Sequence, residues 1–333
     1  MVTNPVLSVT VTNYNYAPYL RQNVESILNQ TYDDFELVII DNASTDGSAE
    51  LIHELASHDR RVRPIIHPEN EGMLFSYREA AATSRGKYRV HVEADDWVID
   101  PKAFELQVTL LEEHPAVSFC YPAMTMVDSN GDVVLVAHAH DGDAILPGEQ
   151  AIESLLNLKF THSGLMIRQD AYHATEGYQA GFPHTADTML AIRLCEVGEL
   201  GYLDRSLYAF RQHGSNLHRR DESELLETEY LPMIAAAFDG PLGRRLIDSG
   251  AARRRVEQRA LVHLPSQHIF RGELRTGWWL YWESMRRRPY LTVAQRATLH
   301  LVARTLLGER GFEQLRCRLG RQKGGQEKWW TGE

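Results

Sequence analysis

Three carboxylates crowd into four positions at Glu93-Ala94-Asp95-Asp96. They follow an alternating apolar run, Tyr88, Val90 and Val92, which predicts a strand leaving a sheet. Like charges at that spacing repel unless a cation sits among them. A hard divalent ion takes oxygen ligands, and Mg²⁺ is typically held by one or two carboxylates together with substrate phosphates. The chemistry on offer is metal-assisted handling of a phosphate or diphosphate. The competing interpretation is a solvated acidic turn ahead of a helix at Pro101.

The elements that must position such a site follow in order along the N-terminal half. A buried strand is predicted over 6–11, ending in the polar turn Thr12-Asn13-Tyr14-Asn15. Tyr19, Leu20, Val24, Ile27 and Leu28 then recur at helical spacing. A second strand over 35–40 runs into Asp41-Asn42-Ala43-Ser44-Thr45-Asp46-Gly47-Ser48, whose Ser, Thr and Asp residues can cap a helix over 49–57. A third strand is predicted over 62–67, a helix over 72–84 closed by Arg85-Gly86, and a fourth strand over 88–93. Strands alternating with helices in this way predict a parallel, doubly wound sheet. Ligands bind such sheets at the carboxyl ends of the strands. The polar clusters at 13–15, 41–46 and 93–96 all fall there, which favours a site over a solvated turn. The first turn carries no GxGxxG, so a dinucleotide-binding site is disfavoured.

Beyond Asp100 the pattern changes. A helix is expected over 101–114, a strand over 117–126, and a hairpin through Asp128-Ser129-Asn130-Gly131-Asp132 to a strand over 133–136. A helix over 150–158, a strand over 164–167, a helix over 188–196 and a strand over 202–208 running into Arg211-Gln212-His213 complete this part. After residue 222 the chain reads as helical, with an aromatic cluster, Trp278, Trp279, Tyr281 and Trp282, before Arg286-Arg287-Arg288. Two regions are expected: a sheet domain over 1–220 and a helical region over 221–333.

Composition places the chain with soluble globular proteins. Its 333 residues, 43% hydrophobic and 24% charged, can bury a sizeable core. No secretory signal or membrane-spanning run is read in it, so a cytoplasmic setting is expected. Cys120, Cys195 and Cys317 lie far apart with no CxxC spacing, consistent with reduced thiols. The net charge of −10 divides unevenly: 241–333 carries a balance of +11, leaving −21 on the rest. That basic region suits peripheral contact with an anionic membrane face, a homo-oligomer contact, or simply a solvated helical face. Nucleic acid is not expected, because no nucleic-acid motif is present and the aromatics are clustered apart from the basic residues.

The first 220 residues resemble an inverting family-2 glycosyltransferase of the GT-A fold. The resemblance rests on Val11-Thr12-Asn13-Tyr14-Asn15, Ser26-Ile27-Leu28-Asn29-Gln30-Thr31-Tyr32 and Val38-Ile39-Ile40-Asp41-Asn42-Ala43-Ser44-Thr45-Asp46. To these add Asn70-Glu71-Gly72, Arg85-Gly86-Lys87-Tyr88, Glu93-Ala94-Asp95-Asp96, Ala186-Asp187 and the His213 segment. The order and spacing of these motifs together are specific, where each alone is weak.

The resemblance implies a nucleotide-diphosphate sugar donor, most often a uridine one, and Mg²⁺ or Mn²⁺. It assigns Asp95 to the metal, with Asp96 and Glu93 in support and His213 added to the metal or diphosphate. Where the family has Asp-x-Asp, this chain has Glu93, one methylene longer. Asp187 takes the place of the general base, with Ala186 where the family carries Glu; helix capping is its other use, and His184 is a weaker rival base. Asp41 would accept from the uracil ring, Asn13 and Tyr14 would line base and ribose, Asn42 would adjoin them, and Arg78 beside Tyr77 would face the diphosphate. Two other functions are weighed against transfer. A nucleotidyltransferase would carry a Gly-rich basic loop after the first strand, which Asn13-Tyr14-Asn15 is not. A non-catalytic nucleotide-sugar binder or scaffold is suggested by the substitutions at Glu93, Asn42 and Ala186. The loops at 137–147 and 179–184 are expected to set specificity for sugar and acceptor. His138, His140, Asp141 and Asp143 offer either a second metal site or a polar loop.

Overall fold

The computed structural model describes residues 4–156, 162–213, 225–246, 249–254, 256–257, 278–279 and 282. The chain divides into two compact units, Met1–Arg220 with Pro232–Ala252 and Asp221–Leu231 with Arg253–Glu333. Tyr281, the triple arginine at 286–288, Cys317 and most of the expected C-terminal helical region lie outside the described residues. Among the described residues no helix is long and apolar enough to cross a membrane.

The first unit is built on one mixed sheet. Strands β1 (Leu7–Asn13), β2 (Phe35–Asp41), β3 (Val62–Ile66) and β4 (Tyr88–His91) are parallel in the spatial order β3-β2-β1-β4. Helices α1 (Ala17–Leu28), α2 (Ser48–His58) and α3 (Met73–Thr83) connect them. The direction of winding reverses at β1, which makes a switch point between β1 and β4.

All seven residues of β2 are buried. Leu37 and Ile39 join Leu20, Val24 and Ile27 of α1 in one cluster, while Val38 and Ile40 pack with Ala80 of α3 in another. A parallel sheet covered on both faces requires such a run of apolar residues in place of alternation.

The second half extends the sheet. It comprises β5 (Trp97–Val98), α4 (Ala103–Glu113), β6 (Val117–Val127), β7 (Val133–Ala137), β8 (Ala144–Leu146) and α5 (Gly148–Leu156). It continues through β9 (Met166–Arg168), α6 (Gln169–His173), α7 (Ala186–Val197) and β10 (Glu199–Arg211). The full order is β3-β2-β1-β4-β9-β6-β10-β5, with β7 on β6 and β8 on β10. Strand β9 runs antiparallel to both β4 and β6, and β10 runs parallel to β6. Two short helices follow, α8 (Leu231–Asp239) and α9 (Pro241–Arg245), the latter packed on α5 and α7.

Two of the boundaries that differ from the sequence expectation bear on the site. Strand β4 stops at His91 instead of 93, because the Asp96 amide turns back to the Glu93 carbonyl at 3.0 Å. Helix α7 begins at Ala186 with Thr185 as its N-cap, so Asp187 lies inside the first turn and does not precede the helix.

The end of the sheet opposite the strand carboxyl termini is locked by Glu36. Its carboxylate accepts from Ser8 Oγ (2.7 Å), the Arg85 amide (2.9 Å) and Arg85 Nε (2.8 Å), and it also pairs with Arg63. Burial alone would raise its pKa, but these donors hold it below the usual range. Gly86 sits where a Cβ would stand 2.6 Å from the Ser8 amide nitrogen and 2.7 Å from the Leu7 carbonyl carbon. No side chain fits between β1 and the entry to β4. Gly86→Ala is expected to cost about 1–3 kcal/mol by overpacking. A urea midpoint equal to that of the parent protein would refute this close approach.

Candidate active site

The carboxyl ends of β1, β2 and β4 converge on one rim. Asn13 ends β1 and Asp41 ends β2, and the two are register partners. Asn13 Nδ2 donates to Asp41 Oδ1 at 2.7 Å and to Ser44 Oγ at 3.0 Å. Ser44 returns two hydrogen bonds to Asp41, from its amide (2.9 Å) and its hydroxyl (2.6 Å). Asn15 and Ala43 take left-handed backbone at φ 61° and 62°, and Asn15 Oδ1 accepts from the Thr45 amide at 2.8 Å. The turns after β1 and β2 are thereby stitched together. Asp46 bridges the starts of two helices, accepting from the Ala17 amide (2.9 Å) and the Ser48 amide (3.1 Å). Asn13 Oδ1 is buried without a hydrogen-bond partner among the described residues, and Tyr14 is 46% exposed beside it. An unpartnered buried acceptor calls for a donor from outside the chain.

The acidic turn is pinned from three sides. Asn23 of α1 is fully buried and donates to the Glu93 carbonyl (2.8 Å) and the Asp96 carbonyl (2.9 Å). Ser163 accepts the Glu93 amide at 3.0 Å and donates to Asp96 Oδ2. Arg211, at the end of β10, gives its amide to Asp96 Oδ1 and its Nε to the Asp95 carbonyl, each at 2.9 Å. Its guanidinium lies between the Tyr19 and Trp97 rings, 4.8 and 4.5 Å from their centroids. Both Asp96 oxygens are therefore engaged by protein donors, and Asp96 acts as a strut of the turn.

Asp95 faces the other way. Its Oδ2 meets His213 Nε2 at 2.9 Å, and the His213 ring stacks on Tyr19 at 5.0 Å. One carboxylate and one imidazole set against each other are an oxygen and a nitrogen donor of the kinds that bind divalent ions. Electrostatics fits the same group. Burial first, then the charge of Asp95, raises the Asp96 pKa well above its ordinary 3.8. Burial first, then the charge of Glu93, raises that of Asp95.

Glu93 is held apart from this pair. Its Oε1 accepts from Tyr77 Oη at 2.6 Å and His162 Nδ1 at 2.9 Å, with His91 Nε2 at 3.2 Å. His91, Glu93 and His162 place three ligand atoms within 4.8 Å of one another. The two imidazoles, however, stack with centroids 4.2 Å apart and planes only 21° apart. Their lone pairs run nearly parallel, so an ion about 2.0–2.1 Å from both nitrogens would lie well out of a ring plane. The cluster is a hydrogen-bonded one. Burial would raise Glu93, but the two imidazoles outweigh it and its pKa falls well below the usual range. Burial holds His91 down at about 4. Burial would lower His162 too, but Tyr178 and Glu93 lift it to about 10.

The remaining expected site residues fall as follows. Asp187 lies in the first turn of α7, its Oδ1 accepting from the Thr188 amide at 2.6 Å. Its charge acts on both Tyr77 and His162. Asn42 spends its amide on structure: Nδ2 donates to Asn70 Oδ1 and Oδ1 accepts from the Glu71 amide, both at 2.9 Å. Arg78 gives Nε and Nη2 to the Tyr178 carbonyl at 2.9 and 2.7 Å. His138 is paired with Asp204, and Asp143 accepts from the Asp204 amide at 2.7 Å, so these two brace a loop. Sequence reasoning did not single out His91, His162, Ser163, Asn23 or Tyr178. A histidine alternating with valines in a strand reads as core, and Thr161-His162-Ser163 carries no spacing signal.

Residues 8–172 match the family described as Glycosyl transferase family 2. Over 226 residues the chain is 30% identical to the putative glycosyltransferase EpsE of Bacillus subtilis, covering 66% of this chain and 78% of that protein. The chain belongs to glycosyl transferase family 2. It is also 28% identical over 212 residues to a chondroitin synthase of Pasteurella multocida; the match takes in 64% of this chain and only 21% of that protein. Among solved structures, S. aureus TarS 1-349 in complex with UDP-GlcNAc superposes with a TM-score of 0.60 at 15% identity, covering 77% of this chain and 71% of that one. The mannosyltransferase PcManGT of Pyrobaculum calidifontis, in complex with GDP-Man and Mn²⁺, gives 0.58 at 16% identity, covering 91% and 88%. The fold is the GT-A fold of these glycosyltransferases, and the mixed, mostly parallel sheet is its frame.

Raised carboxylate pKa values carry a stability consequence. The folded chain retains protons on Asp95 and Asp96 that the unfolded chain releases near pH 4. Metal-free stability therefore falls as pH rises from about 4 through the raised values. A divalent ion should relieve this, so Mn²⁺ is expected to raise the melting temperature more at pH 8 than at pH 5. Asp95→Asn should remove most of that increment. A shift equal at both pH values, or retained in the variant, would dissociate these carboxylates from the ion.

Proposed function

We propose that the chain is an inverting, metal-dependent glycosyltransferase. It would move a sugar from a nucleotide-diphosphate sugar, with a uridine one the first to try, to an acceptor hydroxyl. The observation that carries this is the Asp95–His213 pair, at the turn after β4, on the rim where Asn13 and Asp41 end β1 and β2. The relatives' names and the nucleotide-sugar complexes of the structural neighbours support it. Those neighbours differ in nucleotide, UDP-GlcNAc in one and GDP-Man in the other, so the base is chosen by the chain's own residues.

Each residue then has a chemical task. Asn13, with an unpartnered Oδ1, and Asp41 receive the base, while the exposed Tyr14 ring lies against base or ribose. Asp95 and His213 would hold Mg²⁺ or Mn²⁺, which supplies charge neutralisation to the leaving diphosphate. Asp187 takes the proton of the acceptor hydroxyl as the acceptor oxygen bonds to the anomeric carbon and the bond from that carbon to the phosphate oxygen breaks. Attack from the face opposite the diphosphate inverts the configuration. Thr188 fixes one Asp187 oxygen. Among the described residues the other oxygen has no hydrogen-bond partner, which suits it to a substrate proton. The basic balance of 241–333 supports an anionic acceptor surface, such as a membrane face, or an oligomer contact.

Asp187→Asn is expected to lower transfer or donor hydrolysis about 10²–10⁴-fold while UDP affinity in the presence of Mn²⁺ stays within about twofold by calorimetry. Full turnover in that variant would remove Asp187 from the base role. Asp95→Ala should abolish the Mn²⁺-dependent part of UDP binding. A panel of nucleotide sugars assayed for hydrolysis tests the function itself; no turnover of any donor would leave a binding protein.

A further inference from the structure

Arg89 is the least expected charge in the molecule. It sits within β4, 1% exposed, and makes no ion pair among the described residues. An unpaired buried guanidinium is costly. Its neighbours are the Tyr172 and Tyr178 rings at 4.8 and 5.8 Å, Gln169 Oε1 at 3.3 Å and Tyr178 Oη at 3.4 Å. Tyr178 Oη is also 2.8 Å from His162 Nε2. His162 Nδ1 in turn reaches Glu93, the first residue of the acidic turn. The guanidinium and the carboxylate are thus joined by a continuous buried path, Arg89–Tyr178–His162–Glu93.

Tyr178 belongs to the connection over 174–185 that delivers α7 and Asp187. It is 1% exposed and gripped at both ends. The hydroxyl lies on this path, and the carbonyl accepts from Nε and Nη2 of Arg78 on α3. Gly177, at φ +65°, allows the chain to turn Tyr178 inward; a Cβ there would stand 2.7 Å from Tyr172 Oη. Burial would raise the Tyr178 pKa, but His162 and Arg89 outweigh it and lower it. Asp187 is close enough for its charge to act on His162.

We propose that Tyr178 and His162 are positioning residues that fix the connection carrying Asp187 against the acidic turn, so that base and donor site keep one relative geometry. This rests on glycosyl transfer being the function and on Asp187 being its base. Neither residue touches the reacting atoms. Their removal should spare donor binding, which uses β1, β2 and Asp95, and should reduce turnover.

The test uses the full chain. Tyr178→Phe deletes one oxygen. His162→Asn keeps an amide N–H toward Glu93 but withdraws from Tyr178. Hydrolysis of the best donor from a nucleotide-sugar panel is read alongside UDP binding with Mn²⁺ by calorimetry. Tyr178→Phe is expected to lower turnover about tenfold, the size of a buried coupled interaction, with UDP affinity within about twofold. The double variant should fall less than about twofold below the lower single variant, because both break one path. Hydrogen exchange of 174–187 should rise in Tyr178→Phe while that of β1 and β2 stays level. Unchanged turnover with unchanged exchange, affinity falling in step with turnover, or losses that multiply in the double variant would each overturn the proposal. If Tyr178→Phe lowers the folded fraction, His162→Asn alone carries the same comparison. A wild-type chain that hydrolyses no donor defeats the transfer function, while the exchange measurement still decides whether Tyr178 anchors the connection.

Discussion

Mutual repulsion of Glu93, Asp95 and Asp96 is the constraint around which the sheet's carboxyl edge is arranged. Three carboxylates in four residues would splay apart in water. Here each is drawn in a different direction by a different element. Glu93 is pulled toward Tyr77, His91 and His162; Asp96 is tied to Ser163 and the Arg211 amide; Asp95 is left against His213. Asn23 holds the backbone of the turn from α1. Each carboxylate is thus held by its own set of partners, and the turn keeps three charges in four residues within one mostly buried corner.

That arrangement was only half legible in the sequence. Asn13 and Asp41 could be located because they end strands whose apolar runs are unmistakable, and Asp95 because it lies in the turn that follows a third such run. The surroundings of Asp96 and Glu93 could not, because each includes partners 67 to 115 residues away in the chain. His91 alternates with Val90 and Val92 and looks like core, as indeed it is. Tyr178 lies in a connection without periodicity. The antiparallel setting of β9 was also hidden, since three residues of strand carry no sign of direction.

Arg78 has a structural contact that its place in the sequence does not announce. In a region carrying −21, a cation near a diphosphate is the natural guess. In the folded chain its Nε and Nη2 donate to the Tyr178 carbonyl. Asn42 is similar: its amide staples Asn70 and Glu71 to the end of β2. Side chains that line a pocket rim often serve by holding the rim in shape, and their amides and guanidinia are well suited to satisfying backbone carbonyls there.

The Glu36 lock at the other end of the sheet gives the molecule two unlike edges. There Ser8, Arg63 and Arg85 satisfy one carboxylate entirely from within the chain, and Gly86 lets the strands close over it. That edge owes nothing to a ligand. Fold integrity and ligand chemistry are thereby housed at opposite ends of the same strands. Substitutions in the turns at the working edge can retune what is bound without loosening the frame. One scaffold can in this way diverge toward many sugars and acceptors while its far edge stays as it is.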